Sequence, residues 1–220
     1  MAMFSIEHSH FFMIIIMGDD LKMYFLVLIL IIIFILIYAF ELRRSKFDTR
    51  TLITIGVFSA LGYVLNLFKF IRMPQGGSIT FFSMLPVMMI TFIRGRCVGL
   101  TSGFLLGVLK TFDGLVIVNP LQFILDYLLS NMCLGFSNIF GNKNRIMIFL
   151  GSLFSGILCV MFNVVSGVLF FSEFAPEGCN VWIYSLVYNF SSIGIEVLLT
   201  SIVMSCMPLN RIIKSLNKEA

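Results

Sequence analysis

Histidine is almost missing. His8 and His10, near the start, are the only two in 220 residues. Ser-His and Cys-His nucleophile chemistry in the body of the chain is thereby excluded, as are paired histidine metal ligands. The two histidines read as part of a solvated tail. Cysteine is sparse and scattered: Cys97, Cys133, Cys159, Cys179 and Cys206 include no CxxC pair. They read as small apolar packing residues, not a metal or disulfide framework. No GxxxxGK[ST] loop occurs, so the chain has no P-loop with which to hydrolyse ATP; G-x-S-x-G and H-E-x-x-H are absent too. Neither an enzyme nor a cofactor is expected.

Charge is also scarce, at 12% of residues against 59% hydrophobic, with a mean hydropathy of +1.03. A soluble domain carries about twice that charge fraction. Several apolar runs reach the ~20 residues that a helix needs to cross a bilayer. The fold class is therefore an all-α integral membrane protein. The net charge of +4 does not point to nucleic acid, because the basic residues sit in short connections: Arg43, Arg44, Lys46 and Arg50; Arg94 and Arg96; Lys143 and Arg145; Arg211, Lys214 and Lys218. Lys and Arg in short loops are retained on the cytoplasmic side. Loops 71–77, 113–119 and 172–180 then face outward.

The spacing predicts a spanning helix over 23–44 with a basic stop. Its basic residues follow the apolar run, unlike those of a signal peptide. Residues 1–22 form an N-terminal tail, and Met23 offers an alternative start that would make this tail a mis-called extension. Six more helices are expected over 51–70, 78–94, 97–117, 119–137, 146–171 and 181–207, within a membrane domain 51–208 followed by a cytoplasmic tail, 209–220. Gly99, Gly103 and Gly107 lie four apart, as do Gly56 and Ala60. Such ridges let two backbones approach closely, either within the bundle or against another membrane protein.

Polar groups inside a membrane are costly and invite a functional reading. Gln122, Asp126 and Ser130 share a helix face, with Tyr127 beside it. Asn163, Ser166 and Phe170 form a second stripe flanked by Phe171. Tyr184, Tyr188 and Ser192 form a third, overlapped by Asn189, Ser192 and Glu196. Converging stripes would build one pocket with a carboxylate, amides, hydroxyls and aromatic faces. That chemistry suits a small polar heterocycle, and a positive charge on it. Interhelical hydrogen bonding is the other reading of these residues. Lys110 and Asp113 read as a snorkelling interfacial pair.

Taken together, "IRMPQGGSITFFSMLPVMM", the following "RG", the Gly99–Gly107 ridge, "NPLQFILDY" and "FAPEG…YSLVYN" resemble the thiamin-specific substrate-binding subunits (ThiT/YuaJ family) of energy-coupling factor (ECF) transporters. The likeness runs over about 51–208. It implies a six-helix S-component bundle, to which helix 23–44 is an N-terminal addition. It implies capture of thiamin, or a related small heterocycle, from outside the plasma membrane. ATP-driven uptake would be performed by partners: a transmembrane coupling subunit and two ATPase subunits. By position, the resemblance assigns substrate binding to Asp126, Tyr127, Asn163, Phe171, Tyr184 and Asn189. It makes Pro74, Gln75, Gly76 and Gly77 a lid loop, and Gly56 and Ala60 a docking ridge for the coupling subunit. Cys159, Asn163 and Phe171 stand where many members carry a basic residue, a histidine and a tryptophan. An autonomous carrier for a related heterocycle, or an intramembrane enzyme or structural subunit, are the alternatives.

Overall fold

Short polar side chains decide where the helices begin. The computed structural model describes residues 23–25, 27–45, 47–73, 77–114 and 117–216, the side chains of 214–216 excepted. The chain divides into two units, Met1–Phe40 and Glu41–Ala220. Helix α1 (Met23–Arg44) supplies the described part of the first. In the second, Asp48 accepts a hydrogen bond from Thr51 N (3.1 Å) and caps α2 (Thr49–Leu67). The chain then forms an antiparallel hairpin, β1 (Lys69–Arg72) with β2 (Ser78–Thr80), paired Ile71 to Ile79 and Arg72 to Ser78. Pro86 near the first position starts α3 (Leu85–Arg94). Gly95, at φ 95°, makes the one-residue turn into α4 (Arg96–Lys110), a backbone conformation that suits glycine.

Asn119, accepting from Leu121 N at 2.9 Å, caps α5 (120–136), and Pro120 follows it. This helix widens to a π-helix over Ile124–Leu129 and tightens to a 3₁₀ turn over Cys133–Phe136. Helix α6 (Arg145–Phe170) is regular. Helix α7 (Val181–Cys206), capped by Asn180, has its own π segment over Phe190–Gly194. A short amphipathic α8 (Leu209–Leu216) follows. Helices α1, α2, α6 and α7 are long and apolar enough to cross a membrane.

Two differences from the sequence expectation matter. The expected helix 78–94 begins only at Leu85, because Ser78–Thr80 pairs with Lys69–Arg72 instead. Its ten residues rise ~15 Å, about half of a bilayer's ~30 Å hydrocarbon core. The tail 209–220 holds a helix over its first eight residues. Residues 1–22, with the alternative start at Met23, lie outside the described residues, as do Pro74, Gln75 and Gly76 of the expected lid.

The glycine ridge of α4 is used inside the bundle. A Cβ on Gly103 would sit 2.8 Å from Met132 Cα and still closer to Asn131 O, and one on Gly107 would strike Tyr127 O. Backbone therefore packs on backbone between α4 and α5, which fixes the height of Asp126 and Tyr127. Ile55, Ile90 and Val98 form a buried cluster joining α2, α3 and α4. Ser59 bonds Ser102 O (3.0 Å) and Oγ (2.9 Å) beside it.

Candidate substrate cavity

The ends of α2, α4, α5, α6 and α7 and the hairpin surround a cavity of about 270 Å³. Its walls follow from helix spacing. On α6, Cys159, Asn163 and Gly167, with Phe171 at its C-cap, stand four apart and all line it. The sequence stripe through Ser166 and Phe170 is displaced from this ladder: neither residue lines the cavity, and Ser166 is fully buried. Gly167 keeps the wall thin, since a Cβ there would meet Ser185 Oγ. On α7, Tyr184, Ser185, Tyr188, Asn189, Ser192 and Glu196 line the cavity, and the Tyr184 and Tyr188 rings stack at 6.2 Å.

On α5, Gln122, Asp126, Tyr127 and Ser130 line the cavity across the π segment. A π-turn advances more than four residues, so it turns neighbouring side chains toward one space; such turns are frequent at functional sites. Gln122 is 2% exposed and orients the acid: its Oε1 accepts from Val118 N (3.2 Å) and its Nε2 donates to Asp126 Oδ2 (2.8 Å). Asp126 makes no ion pair among the described residues. Tyr127 stacks on Phe123, centroids 5.5 Å apart.

All six residues expected to bind substrate thus share one cavity: Asp126, Tyr127, Asn163, Phe171, Tyr184 and Asn189. Of the loop expected to be a lid, the described residue Gly77 also lines it. Its N–H donates to Tyr188 Oη at 2.9 Å, and a Cβ there would stand 2.5 Å from that oxygen. Asn163 Nδ2 bonds its own helix at Cys159 O, and Asn189 Nδ2 bonds Ser185 O at 2.9 Å. The ridge expected to dock a coupling subunit, Gly56 and Ala60, faces elsewhere. A Cβ on Gly56 would meet nothing within 4 Å, and Ala60 is exposed.

Two charged residues were undervalued from sequence. Glu196 is only 3% exposed, and its carboxylate accepts four hydrogen bonds. Thr80 donates to Oε2 through N (3.1 Å) and Oγ1 (2.7 Å); Ser83 donates to Oε1 through N (2.8 Å) and Oγ (2.9 Å). One carboxylate thereby ties α7 to the hairpin and to the turn before α3, on both sides of Phe82, whose φ is +57°. Lys110 lines the cavity and is not paired with Asp113 as expected. Asp113 binds Lys69 Nζ (2.6 Å) and accepts from Asn66 Nδ2 (3.0 Å). The signal for both was an ionisable residue within an apolar helix, one turn from other polar groups.

The profile of the thiamine transporter protein family (Thia_YuaJ) matches residues 52–215. A thiamine transporter ThiT of Bacillus subtilis is 34% identical over 181 residues, covering 74% of this chain and 94% of its own length. A thiamine transporter ThiT of Lacticaseibacillus paracasei is 27% identical over 143 residues, 57% of this chain and 71% of its own. A solved structure of ThiT from Listeria monocytogenes resembles this fold with a TM-score of 0.65 at 26% identity, covering 74% of this chain and 96% of that one. These are transport proteins, not enzymes, and together with the apolar helices they make this a multi-pass plasma-membrane protein. Over most of its length, from residue 52 to 215, the chain belongs to the thiamine transporter (Thia_YuaJ) family.

Proposed function

We propose that the chain is the substrate-capture subunit of an energy-coupling factor transporter. It binds thiamin, or a close heterocyclic relative, from the outer face, and partner subunits drive uptake. The observation that carries this reading is the meeting of Asp126 with Tyr127, Phe171, Tyr184 and the amides of Asn163 and Asn189 around one space. Aromatic rings and a carboxylate favour a flat cation, and amides bond a heteroaromatic edge. At about 270 Å³ the cavity lies near the lower bound, ~300 Å³, of small-ligand sites. Gly77, the described residue of the expected lid, latches to Tyr188.

Coupling to a membrane subunit with two ATPases is supported by the missing P-loop and by the open ridge of Gly56 and Ala60 on α2. Helix α1 is an addition that precedes the family domain. The basic clusters set the orientation, with the cavity mouth outward.

Trp182 does not line the cavity, so calorimetry is a more direct assay than fluorescence. Titration of the purified chain with thiamin and a panel of other vitamins should give saturable one-to-one binding for thiamin and little for the rest. Silence toward thiamin alongside binding of an unrelated vitamin refutes the assignment. Uptake by vesicles holding this chain alone, with no coupling subunit or ATPase, would refute the partner requirement and favour an autonomous carrier.

A further inference from the structure

A second cavity, of about 330 Å³, opens where α6 begins and α7 ends, at the opposite ends of these helices from the substrate cavity. Ile148 and Leu209 line it and are themselves buried, 3% and 1% exposed. Lys143, Arg145 and Arg211 line it as well, and all three are exposed. The chain's own bend brings Arg211 there. Met207 stands before Pro208 and is extended (ψ 141°), as the residue ahead of a proline prefers. Helix α7 therefore stops, and α8 begins with Arg211 N–H donating to Pro208 O at 2.9 Å. The buried Leu209 anchors α8 in the bundle.

The retention of Lys and Arg on the cytoplasmic side accounts for where these cations stand, not for their convergence on one cavity. None of the three has an ion-pair partner among the described residues. Like charges around one space repel, and an anion between them relieves that repulsion. Lysine takes phosphate as a point charge, arginine in a two-pronged clasp. Basic pockets between membrane helices hold anionic lipid headgroups by this chemistry. The surroundings favour a lipid over a soluble phosphate. The buried side chains Ile148 and Leu209 are apolar, the same end of α6 presents the exposed Ile146 and Leu150, and α8 is amphipathic. We propose that Lys143, Arg145 and Arg211 form a headgroup site for an anionic phospholipid of the leaflet that meets these helix ends. A lipid held there rests between the first turn of α6 and α8. The site does not depend on which ligand fills the substrate cavity.

The test is native mass spectrometry of the full chain, delipidated in detergent and titrated with phosphatidylglycerol or phosphatidylcholine. Wild type should bind a single phosphatidylglycerol, about tenfold or more tighter than phosphatidylcholine. Each cation is worth about fivefold near a membrane surface, so Lys143→Gln, Arg145→Gln and Arg211→Gln together should weaken phosphatidylglycerol on the order of 100-fold. Removing as many cations elsewhere, by Arg43→Gln, Arg50→Gln and Arg94→Gln, should change it no more than about twofold. Thermal unfolding shows whether each variant is folded. If the triple site variant is not, Arg145→Gln with Arg211→Gln takes its place, with an expected loss of about 25-fold. Equal binding of the two lipids by wild type, unchanged phosphatidylglycerol binding in the site variant, or equal loss in both sets of variants overturns the site. So does displacement of phosphatidylglycerol by millimolar glycerol phosphate, which would assign the cavity to a soluble anion.

Discussion

Replacing Glu196 with Gln changes one oxygen to an amide nitrogen and removes one charge. In the native site each carboxylate oxygen accepts one backbone N–H and one hydroxyl, at 2.7 to 3.1 Å. The amide of Gln can serve one of these pairs through its oxygen. At the other pair its NH₂ faces Thr80 or Ser83. The hydroxyl there can rotate and accept, but the backbone N–H cannot. One buried N–H is left unsatisfied, at about 1–3 kcal/mol, and the two bonds that stay on the Gln oxygen fall from charge-assisted to neutral strength, roughly another 1 kcal/mol each. The sum is about 3–5 kcal/mol against docking of the hairpin and its following turn. Hydrogen exchange at Thr80 and Ser83 N–H should therefore accelerate by about 100-fold or more, and the melting temperature in detergent should fall. The exchange measurement localises the effect. Unchanged protection at both amides, or a loss spread evenly over α6 and α7, would refute the clamp.

Further perturbations follow from the same geometry. Gly103→Ala pushes a methyl into Asn131 and Met132 and should cost about 1–3 kcal/mol, as overpacking does; a melt equal to wild type contradicts close α4–α5 packing. Tyr188→Phe deletes the acceptor for Gly77 N–H; a bond worth about 1 kcal/mol predicts a ligand off-rate raised about fivefold by stopped-flow, and an unchanged off-rate denies the latch. Ala60→Trp, on the exposed face of α2, should leave thiamin affinity intact and abolish uptake in cells carrying the partner subunits; undiminished uptake rules out docking through that ridge.

Much of the architecture was legible because membrane solvent forces simple patterns. The Gly99–Gly107 ridge is a four-residue repeat of small groups, and it meets backbone where such a repeat should. Asp126, Tyr184 and Asn189 stood out as polar residues in apolar runs. The hairpin was not legible, because its pairing joins residues across a polar turn and nothing in a 3.6-residue period reports it; only Pro86, marking a helix start, and the β-branched Ile79 and Thr80 hinted at it. The π segments at Ile124–Leu129 and Phe190–Gly194 are equally invisible to periodicity, yet they turn Asp126, Tyr127 and Ser192 to the cavity. On α6, the neighbour reading through Ser166 failed by one residue, since the true face runs through Gly167, a residue with no side chain to flag it. Glu196 and Lys110 were visible as charges, but the partners of Glu196, Thr80 and Ser83, lie far away in sequence, and no partner of Lys110 occurs among the described residues.

Ligand capture in this cavity depends most directly on Asp126 meeting a cationic ring. A unit charge about 5 Å away at an effective dielectric of ~20 is worth about 3 kcal/mol. Asp126→Asn keeps the shape and the acceptor for Gln122 and removes only the charge. Calorimetric titration should therefore show thiamin weakened on the order of 100-fold in Asp126→Asn, while an uncharged thiamin analogue loses about threefold or less. Equal losses for the charged and uncharged ligands, or unaltered thiamin affinity, would contradict the claim that this cavity captures a cation through Asp126.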